Sequence, residues 1–224
     1  MCEVPFVNTV CRECYNDPLA TYERLKSLGM DLVTITDHDS IGAAEALRSR
    51  PDFFLSEEVS CTLPSGAGMH VGVYDITERD HIELQRRRND FPSLTAYLQQ
   101  RRLFFSANHI FSSLTGRRAA ADFDLFESVF PAIETRNSHM RPLANRTAAA
   151  LAAFASKAEV GGSDAHAMAS LGSAYTAVPG ARTRQEYLDG LRLGEGRVYG
   201  ESGSYWKLTR DVYAIACNWC EKLR

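Results

Sequence analysis

Two short segments, far apart in the chain, each combine carboxylate and imidazole side chains at the end of an apolar run. Asp37 and His38 follow the run 31–36, which reads as a buried strand. Asp164 and His166 follow a second strand-like run that ends in two glycines, and glycine lets the backbone approach a ligand closely. Carboxylates and histidines delivered together from two strand ends can bind a hard or borderline divalent ion. The pattern therefore predicts a metal site built from both segments.

The placement of the histidines supports the same interpretation. Of the six in the chain, four lie in or beside strand-like runs rather than on polar helix faces: His38, His70, His109 and His166. His139 follows in a polar loop and could line the site, although a surface position is the simpler interpretation. His81 belongs to a charged helical segment, so we expect it to face solvent.

Composition sets mild limits on the class of protein. A chain of 224 residues with 45% hydrophobic residues is long enough for one α/β domain, which we take to span residues 1–224. The net charge of -3 gives no electrostatic attraction to long nucleic acid. No apolar stretch approaches the roughly 18 residues of a membrane span, and no secretory leader opens the chain. We therefore expect a cytoplasmic protein without a membrane partner.

The cysteines permit a zinc site without favouring one. Cys11 and Cys14 form one Cys-x-x-Cys pair, and Cys217 and Cys220 form another in an amphipathic helix predicted over residues 205–224. Nothing in the sequence implies that the two pairs meet. Reduced thiols, as expected in the cytoplasm, are the simpler interpretation.

Apolar runs alternate with helical stretches along most of the chain, which is typical of parallel β/α units. In such folds the ligand lies at the carboxyl ends of the strands. That edge carries the polar side chains that follow the predicted strands: Asp37, His38, His109, Arg136, Asn137, Asp164 and His166. His70 precedes most of its strand, so it can join them only from an antiparallel or offset strand.

Four segments in this order resemble the PHP family (polymerase and histidinol phosphatase domains), a group of metal-dependent phosphoesterases. They are residues 35–39, residues 56–60 with 69–71, residues 107–109 and residues 162–166. The resemblance extends from Asp17 to about Ser204. It implies a distorted seven-stranded β/α (TIM-like) barrel whose first strand is missing or altered here. It also implies two or three divalent ions, of Zn, Mn or Fe, in complete relatives.

The resemblance assigns roles to particular side chains. The implied metal ligands are His38, Glu58, His70, His109, Asp164 and His166, and the implied catalytic residues are Asp37, Asp164 and His166. Glu58 corresponds to a carboxylate that bridges two metals, and Glu57 beside it is the less favoured choice. Asp39 could orient the imidazole of His38, or it could cap a helix that begins near Ser40.

The sequence departs from the family at its start. Family members open with a His-x-His pair on the first strand, whereas residues 1 to 16 contain no histidine. Either the first strand lies upstream of Met1, which we favour, or the chain is a degenerate member. In both cases the metal cluster lacks two imidazole ligands, so we expect fewer metals than in complete relatives.

The expected reaction is hydrolysis of a phosphate ester by a metal-activated water. A guanidinium can bind phosphate oxygens through two parallel hydrogen bonds, so Arg117 and Arg136, with the neighbouring Asn137, are candidates for binding a small phosphorylated substrate. The sequence contains neither the Gly-x-Ser-x-Gly motif of a serine hydrolase nor a phosphate-binding Gly-x-x-x-x-Gly-Lys loop. Two alternatives remain: a non-catalytic domain that binds a metal or a partner, and a hydrolase of carbon–nitrogen or carbon–oxygen ester bonds.

Overall fold

The computed structural model describes residues 16–204, and these contain seven β-strands and six α-helices. Three short 3-10 helices, Gly42–Leu47, Ser113–Thr115 and Met168–Ser170, lie in the connections. The α-helices are α1 (Pro18–Ser27), α2 (Glu78–Arg87), α3 (Phe91–Gln100), α4 (Ala120–Ser128), α5 (Pro142–Phe154) and α6 (Arg184–Arg192). The strands are β1 (Ser56–Thr62), β2 (Gly68–Tyr74), β3 (Phe104–Asn108), β4 (Ala132–Asn137), β5 (Ala158–Gly162), β6 (Ala174–Ala177) and β7 (Arg197–Gly200).

Side-chain caps fix where several helices begin. Asp17 accepts a hydrogen bond from the backbone N–H of Ala20, and Pro18 occupies the first helical position of α1, where a missing N–H costs nothing. Thr77 and Asp80 form a reciprocal capping box at the start of α2. Residues 78–100 contain two helices, and Asp90 caps the second of them.

The sheet is mixed rather than purely parallel. Strands β1 to β5 follow one another in sequence order, with β1, β2 and β3 antiparallel and β3, β4 and β5 parallel. Strands β6 and β7 form a separate antiparallel pair. The α/β class predicted from sequence is confirmed, but the seven-stranded barrel is not confirmed for the described residues. Strand β2 runs antiparallel to its neighbours, as the sequence required if His70 was to join the other histidines.

The run 31–36, predicted as a buried strand, makes only isolated bridges. Val33 pairs with Phe53 in a parallel bridge, and a second bridge joins His38 to Glu58. The backbone N–H of Asp39 donates to the carbonyl of Glu58, at 3.0 Å. These few bonds suffice to attach the loop that carries His38 to the start of β1.

The main core lies between the outer face of the sheet and the helices that follow it. The ring of Phe130 contacts those of Phe91, Phe105 and Phe126, with centroids 5.6 to 6.1 Å apart. Such offset or edge-to-face contacts between aromatic rings add to the free energy gained by burial. This packing holds α3 and α4 against β3, so the opposite face of the sheet is available for polar side chains.

Glu57 and His81 form a polar pair on the outer face of β1, and His81 is half-buried there rather than solvent-facing as the sequence predicted. Glu57 is fully buried, and its Oε2 accepts hydrogen bonds from His81 Nδ1 (2.8 Å) and Gln85 (3.1 Å). Its Oε1 has no hydrogen-bond partner among residues 16–204. Burial raises the pKa of Glu57. Alternation along the strand separates Glu57 from Glu58, which faces the other way.

Two sequence predictions lie outside the described residues: the helix over 205–224, and the cysteine pairs Cys11/Cys14 and Cys217/Cys220. Cys61 is buried, and burial raises the pKa of its thiol to about 12. Within residues 16–204 no helix is both long and apolar enough to cross a membrane.

We predict that His81→Ala lowers the free energy of unfolding by about 1–3 kcal/mol, because it leaves Glu57 buried with one hydrogen bond fewer. Urea denaturation measures the change. In a Glu57→Gln background the same substitution is expected to cost less, because the neutral amide tolerates the loss better. An equal cost in both backgrounds would show that the pair is not coupled.

A second prediction concerns Asp80, whose carboxylate accepts hydrogen bonds from Thr77, Tyr97 and Arg101. Burial disfavours its charged form, but these bonds outweigh burial and hold its pKa well below the usual value. Asp80→Asn should therefore lower the free energy of unfolding at pH 7 by about 2–4 kcal/mol.

The pH dependence of that difference has a definite sign. A depressed carboxyl pKa stabilises the fold fully above the unfolded value, about 3.9, and the contribution is lost as the pH falls below it. The gap between the wild type and Asp80→Asn should thus narrow in urea titrations from pH 7 to pH 3. Asp189→Asn, at an exposed ion pair with Arg192, serves as the control and should change stability by less than about 0.5 kcal/mol.

Candidate functional site

Candidate site residues from both halves of the chain line one cavity of about 1500 Å³. His109 follows β3, Asn137 ends β4, and Asp164 and His166 follow β5. The carboxyl ends of these parallel strands meet at one edge of the sheet, as the sequence analysis expected. Glu58 reaches the same region from the middle of the antiparallel strand β1.

His38, Glu58 and His70 form a first group of potential metal ligands, with one ligand atom of each lying within 4.8 Å of the others. His38 Nε2 is 3.2 Å from Glu58 Oε2, and its Nδ1 lies 3.4 Å from the hydroxyl of Ser60. The imidazoles of His38 and His70 meet edge to face, with centroids 4.5 Å apart. The site-facing position belongs to Glu58, as the resemblance implied, and Glu57 lies on the other face.

His109 connects this group to a buried carboxylate. Its Nε2 lies 2.8 Å from His70 Nδ1, and its Nδ1 lies 3.3 Å from Oε2 of Glu134. The backbone N–H of His109 also donates to Glu134, at 2.8 Å. Burial opposes a charge on His109, but Glu58, Glu134 and Asp164 outweigh it and raise its pKa to about 9. Burial and the nearby histidines lower the pKa of His70 to about 2, so His70 is neutral.

His139, Asp164 and His166 form a second group of potential ligands, again with ligand atoms within 4.8 Å of one another. His139 Nδ1 donates to the carbonyl of Ser163 at 3.0 Å, which directs Nε2 to the metal-binding role. Burial disfavours a charged Asp164, but His109 and His166 outweigh it and lower its pKa. Burial lowers the pKa of His166. His139 is thus placed with the ligands, whereas the sequence favoured a surface position.

A β-bulge in β4 brings two further polar residues to the site. The register shifts between Glu134 and Arg136, so that Glu134 and Asn137, three residues apart, face the same cavity. The Asn137 side-chain amide donates to both Glu134 and Asp164, at 3.1 Å each. Its Oδ1 accepts from the backbone N–H of His139. Asn137, predicted to bind substrate, therefore holds the two carboxylates in place.

The backbone is strained at the residues that carry the site. Three non-glycine residues there have positive φ: Asp39 (53°), His109 (29°) and Asp164 (49°). Such conformations cost of order 1–3 kcal/mol each and concentrate at functional sites. The surrounding fold therefore enforces the directions of the His109 and Asp164 side chains.

The remaining predicted residues occupy different places. Asp37 lines the cavity, and burial raises its pKa against the opposing effect of His38 and His166. Arg136 projects to the other face of β4, where it donates to Ser202, and Arg117 is exposed. Neither arginine lines the cavity, so the structure does not bring them to the predicted substrate site.

Asp39 caps no helix, contrary to one of the two roles considered for it. The 3-10 helix that follows begins at Gly42 after an N-cap residue, Ile41, without a side-chain hydrogen bond. Asp39 instead accepts from the backbone N–H of Ser60 at 2.9 Å and forms an ion pair with Arg88. The carboxylate thus fixes the loop that presents His38.

Solved structures share this fold at low sequence identity. A protein from Bifidobacterium adolescentis assigned as a metal-dependent phosphoesterase matches with a TM-score of 0.52 and 14% identity over 70% of this chain and 84% of its own. PsfC from Pseudomonas syringae matches with a TM-score of 0.60 and 17% identity, over 92% of this chain and 89% of its own. An amidohydrolase from Chromobacterium violaceum, with bound sulfate and no metal, matches with a TM-score of 0.50 and 14% identity, over 85% of this chain and 89% of its own.

Residues 142–195 match the family model PHP_C, described as PHP-associated. This segment includes Asp164 and His166. The match agrees with the resemblance to the PHP family predicted from sequence and confirms it over this segment. No curated protein sequence matches the chain. The departure from the family at the His-x-His pair stays a prediction, because residues 1–15 lie outside the described residues.

The donor chemistry fits divalent metal ions. Each group of ligands combines imidazole nitrogens with a carboxylate, the set that Zn, Mn and Fe accept. Within residues 16–204 no lysine or arginine forms an ion pair with Glu58, Glu134 or Asp164. Buried carboxylates need a compensating cation, and among residues 16–204 the ion-pair partners of these three carboxylates are histidines.

We predict that Asp164→Asn lowers the affinity for Mn²⁺ or Zn²⁺ by more than about 100-fold, because changes outside the ligand shell alone cost 10–100-fold. Isothermal titration of chelator-treated protein measures this. Asp124→Asn, an exposed position on α4, is the matched control and should bind as the wild type does. Equal loss in both variants would remove the metal assignment of Asp164.

Proposed function

We propose that the protein is a metal-dependent phosphoesterase that hydrolyses a small phosphorylated substrate in the cytoplasm. The observation that supports this proposal is that each of two imidazole–carboxylate groups contributes residues to one cavity, His38 and Glu58 from the first and Asp164 and His166 from the second. Their charge has no lysine or arginine to balance it among the described residues, as set out above. The cavity, at about 1500 Å³, is larger than the 300–1,000 Å³ typical of ligand pockets and can accept a substrate of nucleotide size.

We assign the metal ligands as two groups within the proposal. His38, Glu58 and His70 would hold one divalent ion. His139, Asp164 and His166 would hold another. His109 lies beside the first group, 2.8 Å from His70 and 3.7 Å from Glu58. Two ions would be the smaller of the two numbers that the resemblance implies for complete relatives.

Bound divalent ions supply Lewis acidity at a phosphoryl oxygen and an activated water. The protein's own groups supply positions and charges. Glu58 lies between His38 and His109, with one oxygen 3.2 Å from His38 Nε2 and the other 3.7 Å from His109 Nδ1. Asp37 lines the cavity beside them, and we assign its carboxylate to accept the proton of the attacking water. Asn137 lines the same cavity and keeps Glu134 and Asp164 oriented.

The test of this proposal is a substrate panel with defined metal content. Chelator-treated protein should be inactive on chromogenic phosphate mono- and diesters, and Zn²⁺, Mn²⁺ or Fe²⁺ should restore turnover. Asp164→Asn should reduce kcat/KM by more than about 100-fold through lost metal binding, while Asp124→Asn should retain wild-type activity. A circular dichroism spectrum and an unfolding curve confirm that both variants fold.

Two results would contradict the proposal in different ways. Metal-dependent turnover of carboxyl esters or amides alone would make the protein a hydrolase of that kind, an outcome that the likeness to an amidohydrolase keeps in view. Metal binding without turnover of any substrate in the panel would support the non-catalytic alternative.

A further inference from the structure

On the face of the sheet that lines the cavity, side chains of β1, β2 and β3 stand in rows across the strands. Glu58 pairs with Gly72, and Gly72 pairs with Ser106, so these three form one row. Asn108 belongs to the adjacent row, two residues along β3. Glu58 and Asn108 are therefore separated by the whole width of β2, roughly two strand spacings of about 4.8 Å. Their side chains are nevertheless joined by a hydrogen bond.

A chain of hydrogen bonds runs from Tyr74 to Glu58. The side-chain amide of Asn108 donates to Oε1 of Glu58 at 2.7 Å, and Asn108 Oδ1 accepts from the hydroxyl of Ser106 at 2.6 Å. The hydroxyl of Tyr74 lies 3.0 Å from Ser106 Oγ. Ser106 has one hydrogen and gives it to Asn108, so Tyr74 must donate to Ser106. Every bond in the chain thus points towards the carboxylate.

Gly72 provides the space for this chain. A Cβ at this position would lie 2.8 Å from the Tyr74 hydroxyl oxygen, 2.9 Å from the amide nitrogen of Asn108 and 2.9 Å from Ser106 Oγ. All three atoms belong to the chain of hydrogen bonds. Gly72 lies within a regular strand without positive φ, so its backbone conformation does not require glycine. What the position requires is the absence of a side chain.

We infer that Asn108, Ser106 and Tyr74, passing over Gly72, are positioning residues for Glu58. Asn108 occupies one lone pair of Oε1, which leaves Oε2 directed at His38, 3.2 Å away. Ser106 and Asn108 are buried, so water does not replace these bonds. Hydrogen-bonded partners of a ligating carboxylate set its orientation and commonly change metal affinity by 10–100-fold. The inference rests on the proposed metal role of Glu58.

The first experiment measures Mn²⁺ affinity by isothermal titration of chelator-treated variants. Asn108→Ala should weaken binding by about 10–100-fold, Ser106→Ala by less, and Tyr74→Phe least, because each lies one bond further from Glu58. Gly72→Ala should match Asn108→Ala, since the added methyl group displaces the amide. Ser128→Ala on α4 and Tyr199→Phe on β7 are matched exposed controls and should bind as the wild type does.

The double variant distinguishes a positioning role from a general effect on the fold, because losses of metal affinity through one chain of hydrogen bonds do not add up. Once Asn108 is truncated, Ser106 no longer acts on Glu58, so Ser106→Ala in the Asn108→Ala background should cause no further loss of affinity. Independent, additive losses would overturn the inference, as would wild-type affinity in folded Asn108→Ala. Should Asn108→Ala fail to fold, Asn108→Asp keeps the shape while replacing the donor by an acceptor. It must then weaken binding at least as strongly as Ser106→Ala.

A second experiment needs no metal. In chelator-treated protein, urea midpoints of Asn108→Ala, Glu58→Ala and the double variant report whether the two side chains are coupled. The inferred chain of hydrogen bonds is supported if the double variant is as stable as the less stable of the two single variants. It is refuted if the losses of stability from the two substitutions add up. If the wild type binds no metal, the proposed function fails, and this cycle alone decides whether Asn108 holds Glu58.

Discussion

Concentrated negative charge in a half-buried cavity is the constraint on which the rest of this structure depends. Glu58, Glu134 and Asp164 all act on His109, and together they raise its pKa despite burial. Burial raises the pKa of Glu134, whereas His109 and His166 keep that of Asp164 low. The arrangement is stable only with positive charge among the carboxylates, so the same charges determine both the chemistry of the cavity and the stability of the residues around it.

Departures from regular backbone structure direct these side chains into the cavity. The bulge in β4 turns Glu134 and Asn137 to the same side, although regular alternation would place them on opposite faces. Positive φ at His109 and Asp164 directs side chains from strand ends into the cavity. The antiparallel course of β2 delivers His70 from the opposite direction to His109. None of these devices can be replaced by a change of side chain alone.

The meeting of Asp37, His38, Asp164 and His166 at one cavity could be predicted from sequence, because these side chains directly follow apolar runs and, for the last two, a pair of glycines. Glu134 could not, since a carboxylate inside an apolar run signals a site only if the bulge is known. The positions of His139, in a loop, and His81, on a helix, could not be predicted either, because their sequence neighbours do not show which distant residues they contact. A charged sequence neighbourhood indicates exposure, yet His81 packs on a buried carboxylate that belongs to another strand.

Arg117 and Arg136, which the sequence suggested for substrate binding, do not line the cavity. Arg136 was placed at a strand end correctly, but the bulge that brings in its neighbours turns it to the opposite face. The distorted seven-stranded barrel, with its first strand missing or altered, was predicted from the resemblance alone and is not confirmed. The described strands form a five-stranded mixed sheet and a separate pair, and the run 31–36 makes only isolated bridges.

The link between Asp39 and Arg88 has a consequence for motion. Arg88 ends α2, which packs on the outer face of the sheet, while Asp39 adjoins His38 on the inner side. The loop that carries His38 is therefore fastened to an element behind the sheet. Opening of α2 therefore removes one of the contacts that hold residues 37–39, while the hydrogen bonds of Asp37 and Asp39 to β1 remain. Local motion of a helix behind the sheet is in this way linked to the position of a potential metal ligand.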